Sequence, residues 1–286
     1  MDERKRNNKW QKNSKPEGEK RGFSSRKSGF AAKNTSFSKP KSKPGQKGKA
    51  AEGVRINRFI ALAGISSRRE AEKYIEAGLV EVNGEIMTNL AYRVMPSDVV
   101  KYDGAELRSE TTRFVLLNKP KDFITTVEDD KGRRTVMSLL NGACKERIYP
   151  VGRLDRNTTG VLLFTNDGNM AKKLTHPKHG VKKIYHIVLD KPLEREHLEE
   201  IAEGITLADG PAPVDSISFV EGMKKNEVGI EIHIGRNRIV RRIFEHFDYK
   251  VVKLDRVYFG GLTKKNLKRG QWRHLEKNEI NMLSML

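Results

Sequence analysis

One polar stretch of the sequence, residues 152–160, carries an acid in a setting suited to chemistry. Its glycines and asparagine indicate tight turns, and the apolar run 161–164 behind it predicts a short buried strand. We therefore expect Asp155 on a loop held by a sheet, where reactive groups are often placed. Arg153 and Arg156 flank it, and a nearby guanidinium favours the ionised carboxylate that a nucleophile requires. The same spacing also fits a turn whose Asp caps the backbone and pairs with an Arg.

The order of residues around Asp155 is more specific than their charges. The stretch reads Gly152-Arg153-Leu154-Asp155, then Thr159-Gly160, then Thr165-Asn166-Asp167-Gly168. This pattern resembles the catalytic motif of RNA pseudouridine synthases, in the branch that modifies ribosomal RNA with an RNA-binding module in front. The resemblance implies an isomerase that converts uridine to pseudouridine on a flipped-out base. Asp155 would be its catalytic residue, either as a nucleophile on the nucleoside or as a base at the sugar.

Further stretches resemble motifs of the same family. In Lys183-Ile184-Tyr185 the tyrosine would stack on the target base, although Tyr185 by itself fits an ordinary strand aromatic. In the basic run 235–242 the family's arginine pairs with the catalytic Asp, and the match gives that role to Arg241. By itself such a basic helix is a solvated face or a phosphate grip. The resemblance also places Arg153 in the gap that the flipped base leaves, and it assigns to RNA contact Arg236, Arg238 and Arg242.

Length and charge limit the class of protein. The chain has 286 residues, enough for about two domains, and a net charge of +19 that favours nucleic acid as a partner, with an acidic membrane surface as the alternative. No apolar run approaches the roughly 18 residues of a spanning helix, and no secretory leader opens the sequence. We therefore expect a cytoplasmic protein without membrane association.

The sequence gives little support for a metal or a cofactor. Cys144 is the single cysteine, which excludes an intramolecular disulfide and a cysteine-based zinc cluster. His176 and His179 supply only two candidate metal ligands, so we expect no metal site. Pseudouridine formation needs neither redox chemistry nor a group donor, and we expect no cofactor.

Residues 1–52 differ in composition from the rest of the chain. They hold 16 Lys and Arg against 5 Asp and Glu, a net +11, with isolated aromatics and no helical or strand period. Such a segment cannot bury enough apolar area to offset its ordering entropy. We predict a disordered basic arm that contacts RNA phosphates, or alternatively a solubilising tail without a specific role.

Residues 53–108 predict a small module of two helices and a hairpin. Apolar residues recur at helical spacing from Ile56 to Ala63, Ser67 opens a second helix with a capping box, and Asn83-Gly84 forms a two-residue hairpin turn. Together these features resemble the RNA-binding module named after the fourth ribosomal protein of the small subunit. The resemblance implies docking on folded RNA through shape and phosphates, whereas the pattern alone also fits a solvated helix surface. The cations predicted to make this contact are Arg58, Arg68, Arg69 and Lys73.

Residues 112–286 predict a second domain of class α+β. Strands are expected near 114–118, 161–164, 183–189, 214–220, 228–234, 250–258 and 272–275. Helices are expected after Asp167, over 193–204 and around 240–247. Strands outnumber helices without regular alternation, which favours a mostly antiparallel sheet. This agrees with the family's fold, a large central sheet with an active-site cleft.

Two other functions compete with a large-subunit enzyme. A non-catalytic ribosome-assembly factor would need the same arm and module, although the joint presence of Asp155, Tyr185 and Arg241 argues for an enzyme. A synthase acting on small-subunit ribosomal RNA would share every motif. The form of the basic run 235–242 and the long arm favour large-subunit RNA as the partner. We expect the enzyme to be a monomer.

Overall fold

The first part of the chain that the structure describes is a small helical module. The computed structural model describes residues 53–286, so the predicted basic arm at 1–52 lies outside the described residues. The module's elements are β1 (Val54–Arg55), α1 (Ile56–Leu62), α2 (Arg68–Glu76), β2 (Val80–Val82), β3 (Glu85–Ile86), β4 (Arg93–Val94), β5 (Val100–Tyr102) and β6 (Ala105–Glu106). Strand β1 pairs with β4, and the other four strands form a sheet in the order β3-β2-β5-β6.

The sequence patterns of the module correctly predict its two helices and its hairpin turn. Ile56 and Ile60 of α1 and Ile75 of α2 are fully buried in its core. Ser67 caps α2, since its hydroxyl accepts from the Glu70 N–H and the Glu70 carboxylate accepts from the Ser67 N–H. The two-residue turn at 83–84 has positive φ at both positions, as a tight hairpin requires. The helix pair and hairpin are therefore confirmed.

The second domain is built on a large sheet with few helices. Its strands are β7 (Phe114–Lys119), β8 (Tyr149–Pro150), β9 (Thr158–Thr165), β10 (Lys183–Leu189), β11 (Ile205–Leu207), β12 (Gly210–Ala212), β13 (Ser216–Phe219), β14 (Glu227–Ile232), β15 (Val251–Phe259), β16 (Leu262–Thr263) and β17 (Trp272–His274). Its helices are α3 (Gly168–Thr175), α4 (Arg195–Glu203), α5 (Ile239–Glu245) and α6 (Lys277–Met285). Short 3-10 helices occupy Val136–Leu140 and Pro177–His179.

Nine of these strands form one sheet with the main path β13-β14-β10-β15-β9-β7-β17. Strand β8 pairs with β9 and β16 with β15, and every pairing is antiparallel except that of β9 with β15. Separate apolar clusters, one containing Phe164 and Phe244 and the other Phe259, fill the core of this domain. The predicted α+β class with a mostly antiparallel sheet is confirmed.

The parallel contact between β9 and β15 depends on Gly160. Gly160 pairs with Arg256 and has a φ of +107°. A Cβ at this position would lie 2.1 Å from the Arg256 carbonyl oxygen and 2.6 Å from Oδ1 of Asp255. Glycine is required because the two backbones approach too closely for a side chain. Strand β9 therefore begins at Thr158, earlier than the apolar run predicts, and the Asp155 loop ends directly at the sheet.

Several elements have no counterpart in the sequence prediction. The strands from β4 to β6, the hairpin of β11 and β12, and helix α6 carry short or mixed patterns that periodicity does not resolve. Hairpin β11–β12 lies beside α5, the helix that carries Arg241. Among residues 53–286, no helix is both long and apolar enough to cross a membrane.

Candidate active site

A buried lysine holds the Asp155 loop through main-chain hydrogen bonds. Lys119, the last residue of β7, is fully buried, and its ammonium donates to four main-chain carbonyls. The acceptors belong to Asp155 at 3.1 Å, Arg156 at 3.2 Å, Thr158 at 2.8 Å and Pro120 at 3.1 Å. Burial lowers the pKa of Lys119 to about 8. Three of these bonds fix the loop backbone from Asp155 to Thr158.

A second set of contacts holds the same loop from the segment after β7. The Thr125 hydroxyl donates to the Leu154 carbonyl at 2.8 Å, and the Asp122 N–H donates to the Arg156 carbonyl at 2.9 Å. The Asp122 carboxylate also lies 3.4 Å from the Arg156 guanidinium. Arg156 therefore anchors the loop to Asp122. The Asp155 side chain is 38% exposed and remains open to solvent.

Arg241 of α5 is the guanidinium that the structure brings to Asp155. Its Nε lies 3.9 Å from Oδ2 of Asp155, and its Nη1 donates to the Val251 carbonyl at 2.8 Å. The side chain is only 10% exposed, and burial is the main cause that lowers the pKa of Arg241. The buried side of the pair is the guanidinium, and the carboxylate stays open to solvent, so the attraction is partly screened. The geometry agrees with the predicted pairing.

Tyr185 enters the same region from β10. Alternate residues of this strand are buried, so Lys183 and Tyr185 face the same side. Tyr185 is 8% exposed and lies opposite Arg256 of β15. Lys183 donates to the carbonyls of Val181 at 2.7 Å and His233 at 2.6 Å.

Three adjoining cavities meet at Asp155, and each is also lined by Arg153 and Arg238. The main cavity, of about 360 Å³, contains Asp155 and Tyr185 together and extends to Arg256. A wider one of about 520 Å³ lies between the Asp155 loop and the segment 124–133, and Arg241 lines it. The third, of about 70 Å³, connects Asp155 with Tyr185. The arrangement can hold a planar base against Tyr185 beside an ionised acid.

The other predicted RNA-contacting arginines near the cleft have acidic partners. Arg236 and Arg242 lie 3.0 Å and 2.9 Å from Oδ1 of Asp209, which belongs to the turn of hairpin β11–β12. The hydrogen bond from Arg242 is the largest cause that lowers the pKa of Asp209. Arg238 pairs with Glu245 at 2.8 Å. Arg153 instead is exposed at the mouth of all three cavities.

The four module cations do not share one environment. Arg68, Arg69 and Lys73 are exposed on α2. Arg58 is half-buried, and its Nη2 donates to Oδ1 of Asn169 in α3 at 2.6 Å. Arg58 thus connects the module to the second domain, a contact that helix periodicity cannot reveal.

Sequence reasoning missed two charged residues that shape the site. Lys119 closes the largely apolar strand β7, and a lysine at that position could have signalled a buried cation. Asp255 accepts from the Thr159 hydroxyl at 3.0 Å and from Arg269 at 3.2 Å, and it also pairs with Lys264. Burial raises the pKa of Asp255, but the bonds from Arg269 and Lys264 outweigh it and lower the pKa overall. This cluster ties β9 to β15.

Two family profiles match the chain. The profile described as RNA pseudouridylate synthase covers residues 113–246, which include Asp155, Tyr185 and Arg241. The profile of the S4 domain covers residues 54–100, the part with the two module helices and the hairpin.

Individual proteins agree with both profiles. An uncharacterized RNA pseudouridine synthase of Aquifex aeolicus is 38% identical over 233 residues, 80% of this chain and 93% of the relative. A Bacillus subtilis protein named ribosomal large subunit pseudouridine synthase B is 38% identical over 235 residues, 81% of this chain and 96% of the relative. A crystal structure of a pseudouridylate synthase superposes with a TM-score of 0.58 at 29% identity, covering 81% of this chain and all of that one.

Proposed function

This chain belongs to the family of RNA pseudouridylate synthases, and from that premise we propose that it acts on one uridine of large-subunit ribosomal RNA. As a pseudouridine synthase it is an isomerase. The name of the Bacillus subtilis relative supports the large subunit as the source of the substrate. We propose further that the enzyme acts in the cytoplasm.

The reaction replaces the carbon–nitrogen bond between ribose and uracil with a carbon–carbon bond, without net oxidation. The bond between the ribose and nitrogen 1 of uracil breaks, the base rotates, and carbon 5 bonds to the same sugar carbon. Carbon 5 then loses its proton and nitrogen 1 gains one, so atoms and electrons balance. A uracil stacked in a helix is out of reach of a side chain, and the base must first leave the stack.

The side chains around the main cavity suit these steps. We assign to Asp155 either attack on the nucleoside or removal of a proton from the sugar, and its side chain is exposed toward the cavities. Tyr185 stacks on the base, a contact that tolerates rotation of the base in its own plane. Arg153, exposed at the cavity mouth, fills the gap left in the RNA stack.

Arg241 and Lys119 prepare Asp155 before RNA arrives. The guanidinium 3.9 Å away places a positive charge beside the carboxylate that acts in either role of Asp155. The bonds from Lys119 to the carbonyls of Asp155, Arg156 and Thr158 hold the loop backbone, so the acid keeps its position when the base enters. The observation that carries the proposal is the shared cavity of Asp155 and Tyr185, with Arg241 beside the acid.

The test is release of tritium from ribosomal RNA labelled at carbon 5 of uridine. Purified protein should release tritium from large-subunit RNA. It should release none from small-subunit RNA. Mapping of pseudouridines in cells with and without the gene should then identify one missing site. Release from small-subunit RNA alone would move the substrate to that subunit, and no release from either RNA would indicate a protein that only binds.

A further inference from the structure

Strand β15 contributes a buried cation to the wall of the main cavity. Arg256 is 3% exposed and lines the cavity together with Asp155 and Tyr185. Because Arg256 lies opposite Tyr185 on adjacent antiparallel strands, both side chains belong to the same face of the sheet. Arg256 and the aromatic residue proposed to hold the base therefore line the cavity from neighbouring strands.

This guanidinium is incompletely satisfied. Its Nε donates to the Val161 carbonyl at 2.8 Å, and its central carbon lies 4.8 Å from the Phe259 ring centre. Nη2 is buried and has no hydrogen-bond partner within residues 53–286. In that part of the chain Arg256 also has no carboxylate partner, although buried arginines are normally paired. An unpartnered buried N–H of a charged group is costly, and a ligand in the cavity can offset that cost.

A second cation close by makes the wall more positive. Lys183 lines the same cavity, and burial, followed by the positive charge of Arg256, lowers the pKa of Lys183 to about 8. The carboxylate that acts on Lys183 in the opposite direction is Asp215, which is itself bonded to His233 at 2.7 Å. Lys183 and Arg256 line neither of the two other cavities that meet at Asp155.

The remaining cations of the main cavity have other arrangements. Arg236 and Arg238 pair with Asp209 and Glu245. Arg153 is exposed and can be hydrated. Arg256 thus combines burial, a free donor and proximity to the base-binding aromatic, and the group that best complements it is an anion with two acceptor oxygens.

We infer that Arg256 binds a phosphate of the RNA chain next to the flipped uridine. The inference rests on the proposed function, because an RNA substrate brings phosphates into this cavity together with the base. A phosphate contact would also serve the chemistry. During the reaction the base detaches and rotates, so base and sugar must be held separately. Tyr185 holds the base, and Arg256, through the phosphate, holds the ribose.

The test replaces single phosphates with neutral methylphosphonates on either side of the target uridine in an RNA fragment. Wild-type protein should lose about tenfold in kcat/KM with one of the two modified RNAs, as expected for loss of a charge-assisted hydrogen bond. R256Q should lose about tenfold with unmodified RNA and lose no more with that modified RNA. K253Q, which removes an exposed cation from the same strand, is the matched control and should behave as wild type.

Three results would overturn the inference. One is R256Q with wild-type kcat/KM on unmodified RNA. Another is a full additional loss when R256Q meets each modified RNA, because the partner of Arg256 would then be another group, such as a uracil carbonyl. The third is stimulation of the wild type by millimolar inorganic phosphate together with indifference to both methylphosphonates, which would identify a free anion as the occupant.

Protein stability separates this role from a structural one. Removing an unpaired buried charge should leave the melting temperature of R256Q unchanged or raise it. A large fall, with a normal single-turnover rate at saturating RNA, would make Arg256 a packing residue. If R256Q folds poorly, R256K replaces it in the test. R256K keeps the charge and should retain part of the affinity for RNA. Failure of the proposed function is distinguishable, since it would appear as wild-type protein that releases no tritium, and the affinities for the modified RNAs would still test Arg256.

Discussion

The Nε of Arg241 lies 3.9 Å from Oδ2 of Asp155, near enough for charge attraction and too far for a direct hydrogen bond. Arg241 is anchored by the bond from its Nη1 to the Val251 carbonyl. The guanidinium is thus fixed by the sheet, and the acid is fixed by the carbonyl bonds of Lys119. The pair is preorganised, with the remaining carboxylate surface available to a substrate.

Changing Arg241 to Ala should remove the countercharge of Asp155 and lower the single-turnover rate at saturating RNA by about 10²- to 10³-fold. Arg238→Ala and Arg242→Ala are matched controls, because both cations pair with other acids, and they should mainly weaken RNA binding. A normal chemical rate in R241A at saturating RNA would show that the pairing with Asp155 is dispensable.

Changing Asp155 to Asn should reduce turnover by on the order of 10⁴-fold or more, because the amide keeps the shape but neither attacks nor accepts a proton. RNA affinity should stay within a few-fold, since phosphate contacts elsewhere supply most of it. Tritium release and filter binding on the same RNA fragment measure the two effects. Multiple turnover by D155N would remove Asp155 from the mechanism.

Changing Lys119 to Met should leave loop carbonyls unsatisfied and destabilise the protein by about 2–4 kcal/mol. The rate should also fall, by up to about 10²-fold, because the Asp155 loop loosens. Denaturant titrations and single-turnover rates measure the two effects. A variant with wild-type stability and rate would show that the carbonyl bonds of Lys119 contribute little.

The pH dependence of stability provides a separate test of Lys119. The folded protein releases the Lys119 proton near pH 8, whereas the unfolded chain holds it up to about 10.5. The unfolded state therefore binds more protons in this window, and this component of wild-type stability rises with pH from about 8 to 10.5. Since K119M lacks it, the stability gap between wild type and K119M should widen over that range. A constant gap would contradict the lowered pKa.

Changing Gly160 to Ala should destabilise the protein by on the order of 3 kcal/mol or more, because the new methyl group meets the Arg256 carbonyl and φ is positive. Gly229→Ala on β14 is the matched control, since a Cβ there meets no atom within 4 Å. Chemical denaturation of both variants measures the difference. Equal stability would show that β9 and β15 can separate without cost.

Removing residues 1–52 should weaken RNA binding at low salt and flatten the dependence of log affinity on log salt, because a net charge of +11 is lost. The single-turnover rate at saturating RNA should barely change, since the proposed catalytic residues lie outside this segment. Reversing the charges of Arg68 and Arg69 should instead weaken folded target RNA more than a single-stranded competitor. An unchanged salt slope, or a collapsed rate, in the 53–286 protein would contradict this division of roles.

The sequence alone determined what depends on neighbouring residues. The alternation in β10 places Lys183 and Tyr185 on one face, the Ser67 capping box starts α2, and the motif around Asp155 indicates the family. Each signal lies within a few positions, where period and capping chemistry decide the structure.

Tertiary structure decided which distant groups meet. The distance from Arg241 to Asp155, the four carbonyls around Lys119, and the contact from Arg58 to Asn169 all join separate elements. The unfilled donor of Arg256 likewise depends on which strands neighbour β15. Strand order and close packing determine these contacts, and the spacing of residues along the chain does not specify them.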